Sequence, residues 1–365
     1  MGYEMVKSWQ QEYMQLADFV QKHPKIKILD TTITIPSNVR SEFYKRFNNV
    51  RKKYLYKHFR EELNISMQLC LHYKETTREI IDKLNIERVN NPNEIHQFLE
   101  NPEISFNNDQ FDDLFDLLRD NIGFHDYNQR VLKKIDKSFQ NMLQAGFERW
   151  ALLSISVLLN PDSLFAVNLQ PIIASTGLLL CENPGSYIEL PDVLESKDIS
   201  FNHDKTVAFT VPDFIIYSPL AKGYASFRID YNTAMIRAPH LSLKREWYSR
   251  YAINAEEPGM ALIYLSNDKN DIRVISDKDK LCRPDLVLEI RGSNNWYNRN
   301  AINHVLRRHR SLKPRLGTYI LSSYPQRGLN DIAEEGIRII TTGLDKERLY
   351  PIIEMITNKC GQFDA

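Results

Sequence analysis

Over roughly the first 160 residues apolar side chains recur at three- and four-residue intervals, the spacing of amphipathic helices. One such helix follows Ser37-Asn38, which offer N-cap side chains, and places Phe43, Tyr44, Phe47, Val50, Tyr54, Leu55 and Phe59 on one face. Others are predicted near Leu63 to Leu84, Asp109 to Arg119, and from Tyr127 through Leu143 into the run GFERWALLSISVLL. The segment KIKILDTTITI, 25–35, is the one β-like interruption. From Pro161 the pattern changes to short runs of β-branched and aromatic residues punctuated by Pro and Gly. The most regular part gives a helix (LKREWYSRYAINAE), a strand (ALIYLS), two more strands (IRVIS and DLVLEIRG) and a helix from Asn298 to Leu312. A strand (GTYILSS), a short helix from Leu329 to Glu335 and a strand from Ile337 to Thr341 follow. The pattern predicts an α+β protein: a helical N-terminal domain, residues 1–160, followed by a mixed α/β domain, residues 161–365, with its core at about 241–357.

Composition narrows the class. At 365 residues, 42% hydrophobic and 26% charged, the chain can bury a sizeable core. Its longest apolar runs, 151–159 and 172–181, fall short of the ~20 residues a membrane span requires, so no membrane association is expected. The start MGYEMVKSWQQEY has neither a secretory layout nor Ser or Thr at position 6 for myristoylation, and a cytoplasmic location is expected. Cys70, Cys181, Cys282 and Cys360 are widely spaced without a CxxC, against a disulfide framework or a zinc ribbon. No Gly-rich phosphate loop, HExxH or GxSxG occurs.

Zero net charge hides two opposed blocks. Between Arg40 and Arg60 eight basic residues face one acid, Glu42; between Glu94 and Asp120 eight acids face one base, Arg119. The basic block either pairs with the acidic one or tracks phosphates. The helical half is also where a second copy of the chain or another protein would dock.

Candidate chemistry sits in the stretch from Asp271 to Trp296. If IRVIS and DLVLEIRG form a hairpin, Asp271 opens one strand while Glu289 and Arg291, two apart on the other, share a face near it. Two close carboxylates suit a hard divalent cation, and a guanidinium can stabilise developing negative charge but cannot take a proton. An acid opening one strand and Glu289-Ile290-Arg291 on the next resembles the active site of the PD-(D/E)xK, restriction-endonuclease-like, nuclease superfamily, with Arg291 where the family has Lys. The resemblance covers roughly the last third of the chain. It implies a Mg²⁺- (or Mn²⁺-) dependent nuclease cutting DNA or RNA, in defence or DNA processing, with Asp271 and Glu289 as metal ligands and Arg291 on the scissile phosphate. The second reading is an inactive nuclease-fold protein serving as a nucleic-acid-binding or assembly subunit, which the missing Lys favours.

A second hairpin competes. Pro212-Asp213, a strand, a turn at Pro219 to Gly223 and a strand bearing Asp230 and Asn232 resemble the same pattern, with Asp213 and Asp230 as alternative metal ligands and Glu148 nearby. A decayed duplicate core, or extra strands extending one sheet, would accommodate both hairpins. Downstream of Arg291, the run Arg299, His304, Arg307, Arg308, His309, Arg310, Lys313 and Arg315 contains no acid, which suits a nucleic-acid backbone, expected to be DNA; the binding residues expected there are Arg299, Arg307, Arg308, Arg310, Lys313 and Arg315.

Overall fold

The structure is a computed structural model that describes residues 8–30, 32–167, 192–201, 212–229, 260–271, 282–292, 299–325 and 336–360. Its packing divides into two compact units: residues 1–71 with 94–143, and 72–93 with 144–365. The change from helices to strands falls where the sequence pattern changes, but two of the three dividing points, at 71/72 and 143/144, lie inside long helices, Arg60–Leu84 and Phe124–Leu158.

The first unit is built from helices. Helix α1 (Trp9–Lys22) starts with a capping box in which Ser8 and Gln11 satisfy each other's backbone N–H groups. Helix α2 (Ser37–His58) has Pro36 as its N-cap with no side-chain cap bond, so Ser37 begins the helix instead of capping it. Between them β1 (Lys27–Ile28) and β2 (Ile33–Thr34) form a two-residue antiparallel pair inside the β-like segment. Helices α3 (Arg60–Leu84), α4 (Asn93–Glu100), α5 (Pro102–Asn108), α6 (Phe111–Leu118) and α7 (Phe124–Leu158) follow; Asn101 caps α5 through the N–H of Ile104, with Pro102 in the first turn. The apolar face of α2 packs through aromatic rings: Phe47 lies 4.6 Å from Phe115 and 5.4 Å from Phe111, and Tyr54 lies 5.2 Å from Trp9.

The second unit is organised by a sheet. Helix α7 ends as Asn160 takes a left-handed conformation (φ 50), which Asn tolerates better than most residues with a Cβ. Strands β4 (Ser163–Val167), β5 (Val193–Glu195), β7 (Phe214–Ser218), β8 (Gly223–Arg228), β9 (Met260–Ser266), β10 (Leu286–Arg291), β11 (Gly317–Ser322) and β12 (Ile337–Thr341) form one eight-stranded sheet in the order β12-β11-β10-β9-β8-β7-β4-β5. Strands β3 (Arg88–Asn90) and β6 (Asp198–Ser200) form a separate parallel pair. From β5 to β10 every pairing is antiparallel; β10, β11 and β12 are parallel, and the connection from β10 to β11 runs through α8 (Arg299–Leu312). Gly223 opens β8 where a Cβ would sit 2.9 Å from the Ser266 carbonyl oxygen, so no larger residue fits that approach of β8 to β9. Helix α9 (Tyr350–Cys360) closes the described chain, preceded by a 3₁₀ turn whose Asp345 caps the N–H of Glu347.

These elements bear out a helical N-terminal region followed by a mixed sheet. The strands expected from ALIYLS, DLVLEIRG, GTYILSS and IRIIT and the helix ending at Leu312 all form. The strand DLVLEIRG and the second hairpin belong to one sheet, β7 and β8 lying beside β9 and β10. The antiparallel partner of β10 is β9, not IRVIS; IRVIS, LKREWYSRYAINAE and the helix expected from Leu329 to Glu335 lie outside the described residues. None of the described helices is long and apolar enough to cross a membrane.

Candidate functional site

The registers across the sheet fix which side chains share a face. Leu286 pairs with Ile263 and Glu289 with Met260, so Asp285, Val287, Glu289 and Arg291 look to the same side of β10 as Met260, Leu262 and Tyr264 of β9. Pairing of Arg228 with Leu262, and of Phe214 with Phe227, puts Arg228 and Asp213 on that same face. Beyond β10 it continues through Thr318, Ile320 and Ser322 to Ile337 and Ile339. Helix α8 covers that end, Val305 packing with Ile320 and Ile337 in one cluster, while His309 Nδ1 lies 2.9 Å from the Thr318 hydroxyl.

Val305, Arg308 and Leu312, spaced by three and four residues, form the buried stripe of α8. Arg308 is therefore carried inward. Its Nε donates to Glu289 Oε1 at 2.6 Å and its Nη2 to Glu289 Oε2 at 2.8 Å, a bidentate fork. Arg291 Nη2 donates to Glu289 Oε2 at 2.7 Å. All three side chains are 0–1% exposed. Burial pushes the Glu289 carboxyl up, but the charges of Arg308 and Arg291 and their hydrogen bonds outweigh it, and the net direction is down: Glu289 is ionised and held so.

Glu289 makes a poor seat for Mg²⁺. Both of its carboxylate oxygens already accept from guanidinium groups, and two cations within hydrogen-bond reach repel a third. Asp271 is not the second ligand that a strand pair IRVIS–DLVLEIRG would have supplied. It is exposed, in a turn where its N–H donates to the Asp268 carbonyl, beyond the end of β9 that faces the start of β10. Glu289 pairs with Met260, six residues along β9 from that end at Ser266, roughly 20 Å at strand rise. Among the described residues no three His, Cys, Asp or Glu side chains are grouped to share a metal ion. The described residues at Glu289 do not fit the metal.

The alternative hairpin has its own ion pair. Asp213 Oδ2 accepts from Arg228 Nη1 at 2.6 Å and from the N–H of Ile229 at 2.7 Å, with both side chains almost fully buried. Asp230 lies outside the described residues. Asp213 and Glu289 stand three strands apart on the shared face, roughly 15 Å, too far to hold one ion between them. Glu148, on α7, is buried.

The residues expected to hold nucleic acid divide. Arg307, Arg310 and Lys313 are exposed, and Arg315 is 38% exposed with Nε 3.2 Å from Asp285 Oδ1. Arg308 is withdrawn from any surface, a correction that follows from helical periodicity; the side chain of Arg299 lies outside the described residues. Sequence reasoning missed two partners. Arg228 is one, and its signal was its place two residues before Asp230 on a strand antiparallel to the one Asp213 opens. Asp285 is the other: a literal Pro284-Asp285 opens β10, and its Oδ2 accepts from the Leu265 N–H at 2.8 Å. Comparison with family models, with curated proteins and with solved structures gives no match.

Proposed function

We propose that this chain binds nucleic acid through the outer side of α8, on a scaffold of restriction-endonuclease-like topology whose expected metal carboxylate has become an internal clasp. The observation that carries the reading is the bidentate Arg308–Glu289 pair: it occupies the acid that catalysis would need, and it turns α8 so that Arg307, Arg310 and Lys313 face outward. The scaffold part is supported by the succession of three antiparallel strands, β8, β9 and β10, a helical crossover through α8, and β11 parallel to β10. The binding part is supported by a helix that contains no acidic residue, because neutralising phosphates and releasing their counterions supplies most sequence-independent affinity.

The test uses the full chain with labelled DNA and RNA, with and without Mg²⁺ or Mn²⁺. Binding should persist in a chelator, no strand should be cut with either metal, and Arg307→Glu with Arg310→Glu should weaken binding to every sequence. Metal-dependent cutting that disappears in Glu289→Gln would replace this reading with the Mg²⁺-dependent nuclease. Absence of binding to any nucleic acid would dismiss both.

A further inference from the structure

Resting on the reading that α8 carries nucleic acid, we infer that its outer row recognises base edges in the major groove of duplex DNA. Asn300, Asn303, Arg307 and Arg310 follow one another at intervals of three, four and three, and all four are exposed on the side of α8 away from Val305, Arg308 and Leu312. With His304 and Leu306 they line a shallow concavity of about 380 Å³. The row spans ten helical steps, about 15 Å, which matches roughly four base-pair steps of B-form DNA. Residue type decides what such a row can read. An Asn amide pairs bidentately with N6 and N7 of adenine, and an Arg guanidinium with O6 and N7 of guanine.

The chemistry also excludes the alternatives. Single-strand binders hold bases mainly by stacking on large aromatic side chains, and among the described residues no Phe, Tyr or Trp lines this concavity. Double-stranded RNA has a major groove too deep and narrow for a helix, whereas that of B-form DNA admits one. The carboxylate that would repel phosphates beside the row is missing from α8, and Lys313 follows at its end to meet the backbone.

The experiment measures anisotropy of labelled duplexes with a randomised centre, against the same pool built with 7-deazaadenine and 7-deazaguanine, which lack N7 but keep Watson–Crick pairing. The natural pool should bind about tenfold or more tightly than the deaza pool. Asn300→Ala with Asn303→Ala and, separately, Arg307→Ala with Arg310→Ala should shrink that ratio; the exposed Asn positions accept Ala without harm to the helix. Double-stranded RNA and single-stranded DNA should bind more weakly than the natural duplex. Equal affinity for natural and deaza pools, or RNA equal to DNA, overturns the groove assignment and leaves the binding reading standing. Failure to bind any of the four probes overturns that reading and this inference with it.

Discussion

Two helices lie within the basic runs that stand out in the sequence, α2 in the first unit and α8 in the second, and they use their charge differently. On α2 part of it is engaged within the first unit. Arg46 bridges Glu42 one turn away, Lys52 bridges Glu103 at 2.9 Å, and Arg40 donates to the Ile35 carbonyl. Arg51 is buried, its guanidinium 4.9 Å above the Phe47 ring and donating to the Asn107 carbonyl at 2.8 Å. On α8 one arginine, Arg308, turns inward to a carboxylate on the sheet, while Arg307 and Arg310 stay exposed. A count of basic residues, seven Lys and Arg on α2 against four on α8, therefore overstates the surface charge of α2, since Arg51 is buried and Arg46 and Lys52 are paired with carboxylates.

The largest expected effect is on the clasp of α8. Glu289→Ala leaves the guanidinium groups of Arg291 and Arg308 in the interior without the carboxylate, and should cost about 3–5 kcal/mol of unfolding free energy in urea titrations. Replacing the whole cluster, with Glu289→Leu, Arg291→Met and Arg308→Met together, should return stability to within about 1–2 kcal/mol of the starting protein, since buried ion clusters and apolar residues of similar volume are close in energy. If the single substitution costs no more than an exposed one, the inward half of the comparison fails.

Reversing charge separates the two helices functionally. Arg307→Glu with Arg310→Glu should weaken duplex binding, and adding Lys313→Glu should flatten the dependence of log K on log salt by about 0.9 for each duplex-DNA phosphate that is no longer neutralised. The matched control on α2, Lys45→Glu with Lys57→Glu at two exposed positions, should leave slope and affinity unchanged. Loss of binding in the control with retention in the α8 variant would move the nucleic-acid surface to the first unit.

An intermediate effect is expected from acid. The folded-state value of Glu289 lies below its ordinary value of 4.5, so the unfolded chain takes up a proton first as pH falls. The contribution of Glu289 to stability is thus complete above the unfolded value and is lost as pH drops through the folded one. Thermal midpoints measured from pH 7 to 3 should fall more steeply in the starting protein than in Glu289→Gln; parallel curves would mean that the carboxylate gains nothing from its two arginines. The smallest effect belongs to Lys52→Ala, which removes a bridge whose lysine is 54% exposed and should cost less than about 1 kcal/mol in the same urea titrations.

The periodicity of apolar residues by itself determined the succession of helices and then strands, because a helix or a strand must bury one face and the spacing of that face is written locally. It also put Glu289 and Arg291 on one side of a strand, since alternation along β10 is independent of what pairs with it. Their direct ion pair follows from that placement. Strand order was not legible in the same way: ALIYLS and IRVIS have similar patterns, and only the sheet decided that β9 lies beside β10, which sends Asp271 to the far end from Glu289. Arg308 shows the division within one residue. Its place on the stripe of Val305 and Leu312 could be counted from the sequence, but a buried guanidinium is stable only opposite a carboxylate. That carboxylate arrives from a strand 19 positions earlier, brought there by the crossover from β10 to β11. Tertiary structure thus decided which charges meet, because charge pairing depends on distance in space, while the local pattern decided which segments could be brought together at all.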